Sequence, residues 1–186
     1  MLVPLPMKAF LFSLLVALIC VTKSKAEDHE DPFTLTVVPS RSGQGQGIEM
    51  SDDGPRTFYV VLGNRSKEAR KVFEDWNSWG YQNISFEVTL PDGKKVLLSR
   101  RDQDFTRNAP TTFLIPAGES QVFEIHLDKW WESKPALELK ARVENKISLK
   151  AIYEVKKGPE AIADGVWTGR VESKGYDFNL WFREKK

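Results

Sequence analysis

The region from 121 to 155 constrains the fold most, because it holds three consecutive segments in which apolar residues recur at every second position. These apolar residues are Phe123, Ile125 and Leu127, then Leu137, Leu139, Ala141 and Val143, then Ile147, Leu149, Ala151, Tyr153 and Val155. Successive side chains of a strand point to opposite faces, so each segment has one apolar and one mostly solvated face. A helix would need apolar residues three and four positions apart. The pattern predicts antiparallel sheets that pack through their apolar faces.

The rest of the chain adds further short strands separated by turn residues. Predicted strands include 33–38, 57–62, 81–90 and 95–99, the last two joined by a Pro-Asp-Gly turn. We expect a short strand at 112–115, a plain connection at 156–164, and a terminal hairpin of 166–172 and 176–182. The segment 69–76 fits an edge strand or a helical turn. Together these features predict an all-β, single-domain antiparallel β-sandwich of the immunoglobulin or fibronectin type, with about nine strands.

The N-terminus has the features of a secretory signal peptide. Lys8 precedes an apolar run from Ala9 to Cys20, and Ser24-Lys25-Ala26 supplies small residues before Glu27. The run is shorter than the roughly 20 residues that a membrane span needs. An uncleaved anchor and lipidation of Cys20 are the alternatives. We therefore predict a signal peptide at 1–26, a mature domain at 27–186, and a periplasmic or secreted location with no membrane insertion after cleavage.

Composition narrows the possible functions of this mature domain. Removing the leader takes away three lysines and no acid, which leaves 24 basic against 26 acidic residues. A binder of nucleic acid or of an anionic membrane would carry a basic surface, so we expect neither partner. The single cysteine leaves with the leader. Disulfides, zinc–thiolate sites, iron–sulfur clusters and cysteine nucleophiles are thereby excluded from the mature domain.

Three stretches carry a resemblance to known domains. They are Phe-Tyr-Val-Val-Leu-Gly-Asn-Arg-Ser at 58–66, Phe-Glu-Val-Thr-Leu-Pro-Asp-Gly at 86–93 and Ile-Pro-Ala-Gly-Glu-Ser-Gln-Val-Phe at 115–123. They resemble bacterial exported immunoglobulin-like domains and, more loosely, intracellular-proteinase-inhibitor-type domains. The resemblance rests on turn chemistry and covers about half of the mature chain. It implies the fold, and no residue here can be matched to an inhibitor's protease-contacting loop.

Residues suited to catalysis or metal binding are few. The two histidines, His29 and His126, lack neighbouring ligands in the sequence, and we predict that His126 is a solvated strand residue. No Gly-x-Ser-x-Gly nucleophile motif occurs. The acidic pairs 52–53 and 102/104 could attract calcium, but arginines flank the second and neither has EF-hand spacing. We therefore predict no metal, no cofactor and no enzymatic activity.

The aromatic residues are the best candidates for a binding site. Trp76, Trp79 and Tyr81 lie within six positions, and Trp130 and Trp131 are adjacent in a predicted loop. Adjacent residues of an extended segment face opposite ways, so at most one of these two indoles fits into a single core. Large exposed aromatics commonly mark contact surfaces, although plugging the end of the core is the alternative.

These observations lead to one hypothesis with two alternatives. The sequence favours a non-catalytic exported module that recognises another macromolecule, a protein or a polysaccharide, through loops or an edge strand. The first alternative is a carbohydrate-binding module that uses Trp76, Trp79 and Tyr81 for stacking. The second is a proteinase-inhibitor-like domain. Two sequons, at Asn64 and Asn83, match the glycosylation motif, but in a bacterial chain they would have no such role, and Asn64 would be an ordinary turn residue.

Overall fold

The computed structural model describes residues 31–39, 57–106, 108–127, 131 and 144–181, with the backbone alone at 144–145 and 178–181. Within these residues the chain forms ten strands and one short helix, in the following order. They are β1 (Phe33–Pro39), β2 (Thr57–Asn64), β3 (Arg70–Phe73), β4 (Ile84–Thr89), β5 (Lys95–Leu98), β6 (Thr112–Ile115), β7 (Ser120–His126), β8 (Glu144–Val155), α1 (Pro159–Ala163), β9 (Gly169–Glu172) and β10 (Tyr176–Trp181). The structure is predominantly β, as predicted, with one short helix in addition.

In the described part of the chain, all strand pairs are antiparallel, and the strands form three sheets. The first has the order β1-β2-β7, and the second has the order β10-β8-β4-β5 with β9 also paired to β8. β3 and β6 form a separate two-stranded sheet. The hairpin of β4 and β5 turns at the predicted Pro-Asp-Gly, where Gly93 has a φ of 83°.

One hydrophobic core contains residues from all three sheets. Phe58 of β2 meets Phe86 of β4 with 5.2 Å between ring centroids, and Phe123 of β7 stacks on Tyr153 of β8 at 6.0 Å. The apolar face predicted for β7 and β8 is confirmed, because every apolar residue predicted to face inward there is buried where its side chain is described. Ile152, predicted on the opposite face of β8, is buried as well. Burying one such side chain stabilises the fold by about 1.5–3 kcal/mol. The predicted strand at 137–143 lies outside the described residues, as do the leader and the loop at 40–56.

The predicted terminal hairpin is wrong. β9 and β10 both run antiparallel to β8, with Glu172 opposite Ile152 and Tyr176 opposite Leu149. Between these two pairs β9–β10 has one residue more than β8, which makes the segment a single strand with a β-bulge. At the bulge, the Ser173 hydroxyl oxygen accepts the Ala151 N–H at 2.9 Å. The Ser-Lys-Gly signal therefore marks a bulge and not a reversal.

The structure also shows the conformation of three further segments for which the sequence allowed no clear prediction. The ambiguous segment at 69–76 contains strand β3, and the connection at 156–164 contains helix α1, which begins with a proline at its first turn. Asn64 is only 2% exposed and its amide donates to the carbonyls of Glu68, Ile115 and Pro116. That sequon is thus a structural turn. Among the described residues, no helix is long and apolar enough to span a bilayer.

Candidate binding site

The loop at 74–83, between β3 and β4, carries three of the five predicted aromatic site residues. Asn77, which is 0% exposed, holds this loop together. Its Oδ1 accepts the backbone N–H groups of Trp79 at 3.0 Å and Gly80 at 2.9 Å. Its Nδ2 donates to the Thr111 carbonyl at 2.9 Å, which ties the loop to the segment before β6. A buried side chain with this many partners fixes where the neighbouring aromatic rings lie.

Gly80 lets the same loop fold back on itself. A Cβ atom at this position would lie 2.0 Å from the Glu74 carbonyl oxygen. No side chain fits there, so the close approach between the two ends of the loop requires glycine. The glycine at position 80 therefore has a steric explanation.

The loop borders a cavity of about 390 Å³ that we call the Arg100 cleft. Its lining comes from the loop, from the segment after β5, from β7 and from residue 131. The lining residues are Asp75, Trp76, Tyr81, Arg100, Gln103, Glu124, His126 and Trp131. The structure thus brings together Trp76, Tyr81 and Trp131, three of the five residues that the sequence singled out.

Arg100 lines this cleft, and its side chain is only 17% exposed. Its guanidinium carbon is 4.9 Å from the centroid of Tyr81 and 5.7 Å from that of Trp131. Its Nη1 donates to the carbonyls of Asp75 and Tyr81, both at 3.3 Å, and its Nη2 lies 3.5 Å from Asp75 Oδ2. Cation–π contacts and charge-assisted hydrogen bonds therefore stabilise a largely desolvated cation.

The three aromatic residues of the cleft differ in exposure. Trp76 is 54% exposed, and its Nε1 donates to the Glu74 carboxylate at 2.6 Å. Tyr81 is half-buried and packs edge-on against Phe105 at 5.5 Å. Trp131 is 3% exposed, packs on Phe86 and donates from Nε1 to the His126 carbonyl at 2.8 Å. Trp131 therefore belongs to the core and offers no exposed face to a ligand.

Trp79, a fourth predicted site residue, does not line the cleft. Trp79 is partly buried against the core and lines a neighbouring cavity of about 450 Å³, which shares Arg100 with the cleft. Trp76, Trp79 and Tyr81 therefore do not form one continuous stacking platform. Trp130 lies outside the described residues, so its role stays a prediction.

His126 has partners that the sequence did not indicate. Thr57 Oγ1 lies 3.0 Å from its Nδ1, and Glu124 Oε2 lies 3.6 Å from its Nε2. A hydroxyl, an imidazole and a carboxylate in this order resemble a catalytic triad. Thr57, however, faces His126 across the β2–β7 pair and does not line the cleft. The arrangement is a cross-strand polar cluster on the sheet surface. No three His, Cys, Asp or Glu residues in the described ranges are grouped to hold a metal ion.

Comparisons with known proteins do not identify a family. No protein-family model matches this sequence, and no curated protein matches it. Among solved structures, the protein described as "AvmM Catalyzes Macrocyclization in Alchivemycin A Biosynthesis" aligns over 84% of this chain and 92% of its own, with 10% identity and a TM-score of 0.36. A likeness this weak carries no argument about function.

Proposed function

We propose that this chain is an exported, non-catalytic binding module with an immunoglobulin-like β-sandwich fold, and that it recognises a partner protein at the Arg100 cleft. The signal-peptide pattern at 1–26 supports export. The sharing of one core by the two larger sheets supports the sandwich arrangement. The single observation that carries the binding proposal is the half-exposed indole of Trp76 in one cleft with the half-buried Arg100.

The residue types in the cleft support a protein partner. Tryptophan, tyrosine and arginine are enriched among interface residues that contribute most to affinity. Here Tyr81 and Arg100 are already fixed by packing and hydrogen bonds, so ordering them on binding costs little entropy. Trp76 is the member with most surface still to bury. We therefore assign Trp76 as the anchor and the other two as its rigid support.

Charge in the cleft favours a partner with a basic side chain at the contact. Asp75 and Glu124 line the cleft, and Glu74 lies next to Trp76. Arg100 is turned toward Asp75 and two backbone carbonyls. Lysine or arginine of the partner could stack on the Trp76 indole and meet these carboxylates.

Affinity capture from an extract of the source organism, followed by titration of the recovered partner, tests this proposal. Trp76→Ala should raise the dissociation constant at least tenfold, because an anchor residue contributes about 1.4 kcal/mol or more to the free energy of binding. The matched control is Leu114→Ala, which removes another exposed apolar side chain outside the cleft and should bind like the parent. Equal affinity of the Trp76→Ala variant and the parent would contradict the proposal.

A polysaccharide is the second candidate ligand, and the neighbourhood of Trp76 supports it. Sugar rings stack on exposed indoles, and their hydroxyl groups hydrogen-bond to side chains such as Gln103 and Glu124, which line the cleft. A glycan array with parent and Trp76→Ala protein separates the two candidates. Binding to a defined glycan that disappears in the variant would favour the polysaccharide, and no binding to any glycan would leave the protein partner.

A further inference from the structure

A third cavity, of about 730 Å³, lies between two strand edges away from the Arg100 cleft. We call it the β1 groove. Its lining comes from β1 on one side and from β9, the bulge and the start of β10 on the other. The lining residues are Asp31, 33–37, Arg65 and 170–176.

The lining shows that backbone edges, and not side-chain faces, border this groove. Consecutive residues of a strand point to opposite faces, so a cavity against one face would meet every second residue. The β1 groove instead meets all five residues from Phe33 to Val37, buried and exposed alike. It also meets every residue from Arg170 to Tyr176.

Both bordering edges are open within the described part of the chain. β1 pairs with β2 alone, and β9 and β10 pair with β8 alone. An edge strand presents unpaired N–H and C=O groups, and charges or bulges usually keep such an edge from pairing further. β9–β10 has both protections: the bulge at Ser173–Gly175 and the charges of Arg170 and Glu172.

β1 has neither protection. Its sequence, Phe-Thr-Leu-Thr-Val-Val-Pro, contains no charged residue, and its register with β2 is unbroken from Phe33 to Pro39. The threonines at 34 and 36 point outward and are exposed, so an added strand would meet small β-branched side chains. β1 is therefore the receptive edge of the groove.

Charge at the rim favours an anionic occupant. Arg65, Arg170 and Lys174 line the groove together with Asp31 and Glu172. The Glu172 carboxylate is already neutralised by Lys150 Nζ at 2.6 Å and by Arg170 Nη2 at 2.7 Å. Lys174 is exposed and makes no ion pair with any residue that the structure describes. An acidic side chain in the groove would give this lysine a partner.

We propose that the β1 groove binds an extended, acidic segment of a partner protein, which adds to β1 as a further strand. Pairing along Phe33–Val37 would take about 17 Å of extended chain, at roughly 3.4 Å for each residue. Main-chain hydrogen bonds supply most of the affinity in this recognition mode, and side chains supply the selectivity. The site is separate from the Arg100 cleft and does not depend on the function proposed there.

The probe is an acetylated and amidated octapeptide, Thr-Glu-Val-Glu-Thr-Glu-Val-Glu, titrated into ¹⁵N-labelled protein. We expect shifts in the amide signals of Thr34, Thr36 and their neighbours, with a dissociation constant near 1 mM or below at low salt. The same peptide with an N-methyl group on every residue keeps its side-chain charges and loses the backbone N–H donors of both strand edges. It should no longer shift these signals.

Charge is tested with a pair of matched variants. Lys174→Glu should weaken binding about threefold to tenfold, because it replaces an attraction by a repulsion. Lys157→Glu makes the same change at an exposed lysine outside the groove and should have little effect. The proposal is overturned if the β1 amide signals do not move at millimolar peptide, or if the N-methylated peptide binds equally well. It is also overturned if both lysine variants weaken binding alike, or if the protein alone dimerises through β1.

Discussion

Trp76 and Trp131 line the same cleft but belong to different parts of the molecule. Trp131, with Arg100 and Tyr81, forms the floor of the Arg100 cleft and is continuous with the core through Phe86. Trp76 forms the rim, where its indole is 54% exposed and donates a hydrogen bond to Glu74. A side chain that is buried stabilises the fold, whereas an exposed one retains surface for a ligand. The comparison therefore separates stability from binding within one site.

The largest effect on stability is expected at the floor of the Arg100 cleft. Trp131→Ala removes an indole that is 3% exposed and leaves a cavity against Phe86, so the free energy of unfolding should fall by about 3–5 kcal/mol. Urea denaturation of parent and variant measures this loss. Trp131→Phe should lose less, because a phenyl ring fills part of the space. A change in the alanine variant no larger than the roughly 0.5 kcal/mol of an ordinary surface substitution would contradict a core role for Trp131.

The second largest effect on stability is expected at Asn77, which fixes the loop between the floor and the rim of the cleft. Asn77→Ala would leave the Thr111 carbonyl and the Trp79 and Gly80 N–H groups without their side-chain partner, which costs about 1–3 kcal/mol. The loop should also lose its fixed shape, so partner affinity should fall together with stability. Asn108→Ala is the control, because its amide bonds to the same loop at an exposed position. Equal losses in the two variants would mean that burial of Asn77 does not matter.

A smaller effect is expected on the outer face of the second sheet, where exposed charges pair with one another. The Lys150 ammonium and the Arg170 guanidinium hold the pKa of Glu172 below its ordinary value. Glu172 therefore stabilises the fold above the ordinary pKa of about 4.5, and this stabilisation disappears as the pH falls through the lowered pKa of the folded state. Between about pH 6 and pH 3, the Glu172→Gln variant should lose less stability than the parent. The difference between the two losses should be below about 1 kcal/mol.

Urea denaturation across this pH range checks the effect at Glu172. High salt screens exposed pairs, so 1 M sodium chloride should reduce the difference between parent and variant. If the parent and the variant lose stability equally on acidification, the ion pairs around Glu172 contribute nothing measurable.

The smallest effect on stability is expected at the rim. Trp76→Ala removes an exposed side chain, so the free energy of unfolding should change by no more than about 0.5 kcal/mol. Thermal and urea denaturation measure this change. A loss of several kcal/mol would mean that Trp76 stabilises the fold as Trp131 does. The floor and the rim would then not differ in their roles.

The alternation of apolar and polar residues predicted much of the fold, because a strand with one buried face has an apolar residue at every second position. β7 and β8 are examples, with Phe123 and Leu149 buried as expected. The direction of β9–β10 could not be predicted, because Ser-Lys-Gly suits a bulge as well as a turn. Turn chemistry is local, whereas pairing of β10 with β8 is decided by residues 27 to 37 positions away.

The candidate site was predicted only through its aromatic residues. The sequence pattern points to Trp76, Tyr81 and Trp131. It does not point to Arg100, because nothing in the neighbouring residues shows that two rings and two carbonyls enclose its side chain. Asn77 carried a usable signal that was missed. Asn-Ser-Trp-Gly matches an asparagine that caps its own turn, and such a turn fixes the residues on either side of it.

The indole N–H signals of an NMR spectrum, recorded as the captured partner is added, measure the contrast between rim and floor most directly. The account predicts that the Trp76 signal exchanges rapidly with solvent when free and shifts on binding. It also predicts that the Trp131 signal, whose N–H is bonded to the His126 carbonyl, stays protected and unshifted. A partner that shifts neither signal, or a Trp131 N–H that exchanges as fast as that of Trp76, would contradict it.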